Sequence, residues 1–425
     1  MSLREFIKKS PTQYHATAAI CEILAENSFT ELRETDEWSV SSGGKYYVTR
    51  NGSSVIAFTV PAAAPQRFMI SASHCDSPCF KIKENAVVTV GKYQKLATER
   101  YGGTVNSTWL DRPLSIAGRI TVKKPNGIEI RNIDFDRACA VIPNVASHLI
   151  KNMNDGVKYN PAVDLLALYS ADESHSFYDD LAMLADVSKD DILSSDIQLY
   201  VCEDAVEYND LISAPRLDDL QCVYASLEAF KNAVTNNSNI NMLCVFDNEE
   251  VGSSTKQGAD STFLADTLTR LCGCLDITEQ QKCMLAAQSM MLSCDNAHAI
   301  HPNQPSLSDA NNGPVINGGV VIKYNANQNY TSDAVSSGIF KVICEKAGVP
   351  VQTYANRADL PGGSTLGNIS NTKFSLNTVD IGIAQLAMHS AFETSGNKDT
   401  EYFIKAVSQF YNTKITVDGN NIKLD

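Results

Sequence analysis

A chain of 425 residues is too long for one ordinary single-core domain, so two domains, or one large domain carrying an insertion, are expected. Its hydrophobic content of 44% and charged content of 20% are those of a globular protein in water, and no apolar run nears the ~20 residues that cross a bilayer. A net charge of −14 argues against nucleic acid, which needs a basic surface, and requires any anionic substrate to be drawn by a local positive site.

The opening residues, MSLREFIKKSPTQYH, lack the apolar core of a signal peptide. The 12 cysteines fall at irregular spacings with no CxxC pair, which reads as reduced thiols and as neither disulfides nor a zinc knuckle. A cytoplasmic protein with no membrane partner is expected.

Arg4–Asn27 reads as helical on both sides of a Ser10-Pro11 break, with Ala16, Ile20 and Ile23 on one stripe. Lys45–Thr49 and Ser54–Val60 flank an Asn51-Gly52 hairpin turn. Arg67–Ser73 is a buried strand that delivers His74-Cys75-Asp76 at its C-terminal end, the edge at which open α/β sheets bind ligands. From roughly Glu84 to Asn209 the character changes. Short strands at Val87–Val90, Ser115–Val122 and Ile128–Ile130, with turn signals at Gly102-Gly103 and Pro125-Asn126-Gly127, predict a β-rich insertion. Within it, Asp180–Leu193 reads as a small helix and Ile197–Val201 as a strand.

Alternation then resumes. Helices are predicted at Gln221–Ala233, Ser261–Cys272, Glu279–Ala287 and Ser332–Ala347, and strands at Met242–Phe246, Ser289–Leu292, Gly319–Tyr324, Val351–Tyr354 and Thr378–Ile381. The predicted fold class is α/β: one catalytic domain of residues 1–84 and 210–425, split by a β-rich insertion at 85–209.

The chemistry concentrates at element ends. Met242–Phe246 breaks into Asp247, Glu249 and Glu250, three carboxylates within four residues. Like charges packed at a strand end are costly unless a cation holds them, and a divalent metal is the largest local charge available. Neighbouring extended residues point to opposite sides, so one glutamate can ligate while the other faces a water. A solvated acidic turn is the plain alternative. Four further clusters fall at strand or helix ends: His74-Cys75-Asp76, Arg216-Leu217-Asp218-Asp219, Ser293-Cys294-Asp295-Asn296 and Met388-His389-Ser390. Taken singly, one Asp of the second could be an N-cap, Asp295 a cap, and each His a core residue. Taken together they offer two imidazoles and several carboxylates, a mixed N/O set that suits zinc, with cobalt or manganese also compatible. Two metals sharing a carboxylate sit roughly 3.5–4 Å apart and clamp both attacking and leaving oxygens.

HCDSPCFKIK, RLDDL, FDNEEVGS, SCDNAHAIHPN, VVIKYNANQNY and QLAMHS, in that order and preceded by SPTQYHA, resemble the aspartyl aminopeptidase family of co-catalytic zinc exopeptidases almost from end to end. The resemblance implies a mixed sheet sandwiched by helices, of the zinc exopeptidase type, with the insertion serving dimerisation. It implies two divalent ions, one held by His74 and one by His389, bridged by Asp218, with Glu250 and Asp295 completing the set. Glu249 would be the general base and Asp76 the partner that orients His74. Lys323 would lie beside the substrate pocket, and His148 would reach the active site of a neighbouring subunit. Gly362–Gly367 has no Lys where a phosphate loop needs one, so close backbone approach to substrate at Gly363 is the better reading, although Pro361-Gly362-Gly363 stands where animal relatives have Pro-Cys-Gly. The implied assembly is a tetrahedral homododecamer built from dimers that admits short peptides.

The function expected is removal of N-terminal residues, Asp or Glu, from peptides. Alternatives are a neutral or apolar preference within the same family, a carboxypeptidase or deacylase, and a catalytically dead assembly protein. His298 and His301 fall in a motif but need not ligate, Pro302 after His301 suggesting a structural turn, and His15 and His175 are read as structural.

Overall fold

Strand Arg67–His74 runs through a nine-stranded mixed sheet between Asn239–Phe246 and Met290–Cys294, both parallel to it. Every residue of these three strands is buried, as continuous apolar runs in a sheet covered on both faces should be. The structure, a computed structural model, describes residues 1–150, 153–234, 238–360 and 362–425.

The pleat divides the strand side chains between two helical layers. Val55, Met69, Leu243, Val245 and Leu292 pack with helices Gln13–Glu26, Leu217–Lys231, Ala334–Ala347 and Asn397–Asn412. Ile56, Ile70, Met242, Cys244 and Met291 pack with Phe263–Cys274 and Glu279–Ala287. The expected α/β sandwich is the fold observed. Each fully buried aliphatic or aromatic side chain contributes about 1.5–3 kcal/mol. Phe246, the last apolar residue before the acidic turn, is buried in the second layer.

The hairpin of Lys45–Arg50 and Ser54–Thr59 turns through Asn51 and Gly52 at φ 60° and 64°, the left-handed pair that an Asn-Gly turn requires. A six-stranded antiparallel sheet drawn from Cys79–Val201 has its own core around Phe80, Trp109, Ile116, Ile120 and Leu199. Here two local expectations change. The helix predicted at Asp180–Leu193 is Phe177–Ala185. It stops because Asp186 turns left-handed at φ 52°, and Ile192 already belongs to a strand paired with Leu114–Lys124. Val87–Val90 is only the end of a strand that starts at Cys79 and changes register between Ile82 and Val87.

A third sheet of five short strands was not foreseen: Val206–Tyr208, Leu211–Ala214, Glu393–Gly396, Ala384–Leu386 and Ala297–His298. Its connections carry Asp218 and His389. Among the described residues no helix is long and apolar enough to cross a membrane.

Candidate metal centre

Parallel register delivers the first groups. Phe246 pairs with His74, so the Asp247–Glu250 turn emerges beside the imidazole. Ser293 pairs with Ala72 on the other side, which brings Asp295 to the same edge. Asp218 arrives from the start of helix Leu217–Lys231, and His389, at φ 67°, from the loop after Ala384–Leu386. Neither aspartate of the Asp218-Asp219 pair caps that helix. Both have non-helical backbone, and Asp219 accepts the His74 N–H at 3.2 Å through Oδ2.

The two imidazoles are oriented the same way. His74 Nδ1 lies 3.1 Å from the main-chain carbonyl of Asp76, and His389 Nδ1 lies 3.2 Å from that of Gly103. A carbonyl only accepts, so Nδ1 carries a proton in each ring, and Nε2, which faces the carboxylates, is the nitrogen left to bind a metal once it gives up its own proton. His74 Nε2 is 3.4 Å from Asp218 Oδ1, 3.8 Å from Asp295 Oδ1 and 4.0 Å from Glu249 Oε2. His389 Nε2 is 3.5 Å from Asp218 Oδ2 and 3.3 Å from Glu250 Oε2. Three sets of ligand atoms lie within 4.8 Å of one another: His74–Asp218–Asp295, His74–Glu249–Glu250 and Asp218–Glu250–His389. Asp218 faces one histidine with each oxygen.

Asp76 is buried one step behind. It accepts the N–H groups of Glu249 at 3.1 Å and Glu250 at 3.2 Å, and the hydroxyl of Tyr101 at 2.6 Å; its Oδ1 is 3.4 Å from His74 Nδ1. One carboxylate therefore sets both the acidic turn and the ring beside it. Sequence reading missed Tyr101, and also Glu393, a buried carboxylate that accepts the N–H groups of Asp218 and His389. Nothing near either residue in sequence marks it; only the meeting of different sheets gives it a role.

The electrostatics are those of a site short of positive charge. Burial lifts Glu249 to about 8; His74 opposes that, and Asp295, Asp76 and Asp218 reinforce it. Glu250 is pushed well above the carboxylate range by burial and by Asp218. Burial works against the charged form of His74, yet hydrogen bonds to Asp218, Asp295 and Asp76 raise it well above its ordinary value. Asp218 is held low despite burial by its hydrogen bonds to His389 and His74.

This donor set fits divalent metal. Glu250 Oε1 is buried without a hydrogen-bond partner, and Asp218 Oδ1 is buried facing only His74 Nε2 at 3.4 Å, although buried polar atoms are nearly always well satisfied. Imidazole nitrogens and carboxylate oxygens converging on shared positions are ligands for zinc and its neighbours, and a cation would remove the repulsion that raises Glu249 and Glu250.

Beside the cluster lies a cavity of about 450 Å³ lined by His74, Asp218, Glu249, Glu250, Asp295, Lys323, Tyr330, Tyr354, Gly363 and His389, among others. Lys323 is buried there, with its ammonium 3.1 Å from Asp295 Oδ2, 3.0 Å from the Asn296 carbonyl and 5.4 Å from the centre of the Tyr330 ring. Gly363 lines the cavity; Pro361, two residues earlier, lies outside the described residues. Thr365 donates to Asp380 and begins helix Leu366–Lys373, which makes the glycine-rich segment a packed connection. His148 is exposed in the stretch 147–149, and it is not among the residues lining the cavity. His298 lines the cavity, while His301 accepts an N–H from Asn303 in a turn, His15 pairs with Thr12, and His175 with Asp180.

Comparison with known proteins identifies the family. The family model described as aminopeptidase I zinc metalloprotease (M18) matches residues 6–411. A probable M18 family aminopeptidase 2 of Clostridium novyi (strain NT) is 41% identical over 424 residues, spanning 96% of this chain and 98% of that protein. Among solved structures, a chain of the Ape4 and Nbr1 complex superposes with a TM-score of 0.92 at 32% identity, covering 96% of this chain and 84% of that one. The S. cerevisiae mApe1 dodecamer superposes at 0.83 with 27% identity, covering 96% and 95%. The chain belongs to the M18 family of zinc metalloproteases and is a peptide-hydrolysing aminopeptidase.

Proposed function

We propose that the chain is a two-metal aminopeptidase that removes N-terminal Asp or Glu from short peptides. One ion would be held by His74, Asp218 and Asp295, and the other by His389, Asp218 and Glu250. The observation that carries this reading is Asp218, whose two oxygens face different histidines. When bound, such ions polarise the peptide carbonyl and lower the pKa of the attacking water.

The chain's own groups do the rest. Glu249 lines the cavity without being needed by either three-ligand group that contains Asp218, so it is free to take a proton from water and return it to the leaving amine. Cations in the site would draw its pKa down from about 8 toward the range of a base at neutral pH. Asp76 holds the main chain of Glu249 and the ring of His74, which fixes the base relative to the reacting carbonyl.

Acidic preference rests on Lys323, the Lys or Arg that lines the cavity in a chain whose net charge repels anions. A neutral or apolar preference is the second reading, favoured by the engagement of Lys323 with Asp295 and the Asn296 carbonyl. Residues 85–209 are read as a dimerising insertion, and the assembly as a tetrahedral dodecamer in the cytoplasm; the relative solved as a dodecamer supports the number. In that assembly the exposed His148 would reach a neighbour's substrate.

The test is a panel of Asp-, Glu-, Leu- and Ala-nitroanilides with enzyme reconstituted separately with zinc, cobalt and manganese. Acidic substrates turned over fastest support the first reading. Leu or Ala fastest supports the second, and hydrolysis only of amine-blocked peptides removes both.

A further inference from the structure

Glu393 opens the strand Glu393–Gly396 of the five-stranded sheet and pairs with Ala214, four residues before Asp218. It also follows His389 by four residues. It is a carboxylate with 2% exposure lying between two loops that both belong to the candidate metal centre. Its oxygens are divided between them: Oε1 accepts the His389 N–H at 2.7 Å and Oε2 accepts the Asp218 N–H at 3.0 Å.

Both contacts are to main chain, so the Asp218 carboxylate and the His389 Nε2 stay free to point into the centre. The two backbones also lack regular support of their own. His389 holds a left-handed φ of 67°, and Asp218, at φ −80° and ψ 110°, interrupts the start of its helix. A single rigid carboxylate spanning two such amides sets the distance between them. Gln385 reinforces it from the neighbouring strand, with Nε2 3.5 Å from Oε1.

We propose that Glu393 is a positioning residue that fixes Asp218 and His389 relative to each other and so governs retention of the ion those two share with Glu250. This rests on the two-ion reading above. Replacing the carboxylate by an amide keeps the shape but sets an NH₂ against one of the two backbone N–H groups, which leaves one loop unsecured. Loss of such an outer partner typically weakens metal retention about 10–100-fold. The His74–Asp218–Asp295 group keeps its other supports and is expected to hold its ion more nearly as before.

The experiment is zinc release from the full-length protein to a colorimetric chelator, together with the visible spectrum of the cobalt-loaded form and thermal melting. Parent and Glu393→Gln are each loaded with two equivalents. The expected result is that one equivalent leaves the variant about 10–100-fold more readily while the other leaves at nearly the parent's rate, with an altered cobalt spectrum. Glu393→Asp, one methylene shorter and able to reach only one N–H, is run beside it and should give the same selective loss; it carries the test if the amide variant does not fold. Two equivalents released at the parent's rate from a folded variant would overturn the inference. Equal loss of both with a depressed melting temperature would also overturn it, by assigning Glu393 to the sheet alone. A parent that binds a single equivalent would overturn the two-ion reading, and this inference with it.

Discussion

Tyr101, the last residue of a strand in the six-stranded sheet, and Asp76, in the connection that follows strand Arg67–His74, meet through a 2.6 Å hydrogen bond, with Asn248 donating to the same phenol oxygen at 2.8 Å. The phenol thus ties the end of the six-stranded sheet to the carboxylate that holds the acidic turn. Tyr101→Phe removes the donor from Asp76 and the acceptor from Asn248, both buried. We expect a loss of about 1.5–3 kcal/mol, the value of a hydrogen bond to a charged group, read as a shifted midpoint in chemical denaturation.

Glu249→Gln keeps size and burial but cannot accept the proton of the attacking water. Turnover should fall about 10²–10⁴-fold, while metal content and melting temperature stay near those of the parent. Steady-state kinetics beside elemental analysis checks this, and a variant with full turnover removes Glu249 from the role.

Lys323→Ala takes the ammonium away from Asp295 and from the cavity. If Lys323 selects acidic side chains, kcat/KM for Asp and Glu substrates should fall at least about tenfold further than for Leu and Ala, less than one charge-assisted hydrogen bond is worth. Equal losses across the panel would assign the residue to support of Asp295 alone.

The pH dependence of metal-stripped protein follows from protons held in the fold. Burial and neighbouring carboxylates raise Glu249 to about 8, and burial beside Asp76 raises Asp247 to about 7, whereas both would titrate near roughly 4 in the unfolded chain. Between those values the folded state binds more protons than the unfolded one, so stability falls as pH rises. His74, raised by Asp218, Asp295 and Asp76 against the effect of burial, acts in the same sense: its contribution is full below about 6.5 and fades as pH climbs through the folded-state value. Asp218 and Asp76, held low, work the other way only in more acid solution. Calorimetry of chelator-treated protein should show a melting temperature that declines from pH 5 to 8, and a much flatter profile once metal is restored.

Sedimentation should report a species near twelve chain masses. The segment read as an insertion exposes Ile128, Ile130, Leu149 and Met183, apolar surface of the kind that subunit contacts cover. A charged residue at Ile128 and Ile130 together should yield smaller assemblies.

Much of this was legible in the chain because strand ends speak locally. The run Met242–Phe246 followed by Asp247, Glu249 and Glu250 announces a buried strand and the charges it must deliver, and Arg67–Ser73 does the same for His74. Asn51-Gly52 announces its own hairpin because Asn and Gly readily adopt the left-handed pair that closes such a turn. Long-range partners leave no such mark. Glu393 and Tyr101 look like any acid and any tyrosine until distant sheets converge on them. Gly102-Gly103 reads as a surface turn, yet a Cβ at Gly102 would lie 3.1 Å from Glu250 Cβ, and one at Gly103 would lie 3.0 Å from His389 Nδ1. The helix expected at Asp180–Leu193 ran too far because strand pairing, which acts at a distance, claims Ile192.

The bond between the Gly103 carbonyl and His389 reaches across from the segment read as an insertion. Excising that segment to obtain a minimal hydrolase would therefore delete an atom that keeps an imidazole in its working tautomer. A shortened enzyme would need a replacement acceptor before it could work, and in natural divergence the appended sheet and the reaction chamber must change in step.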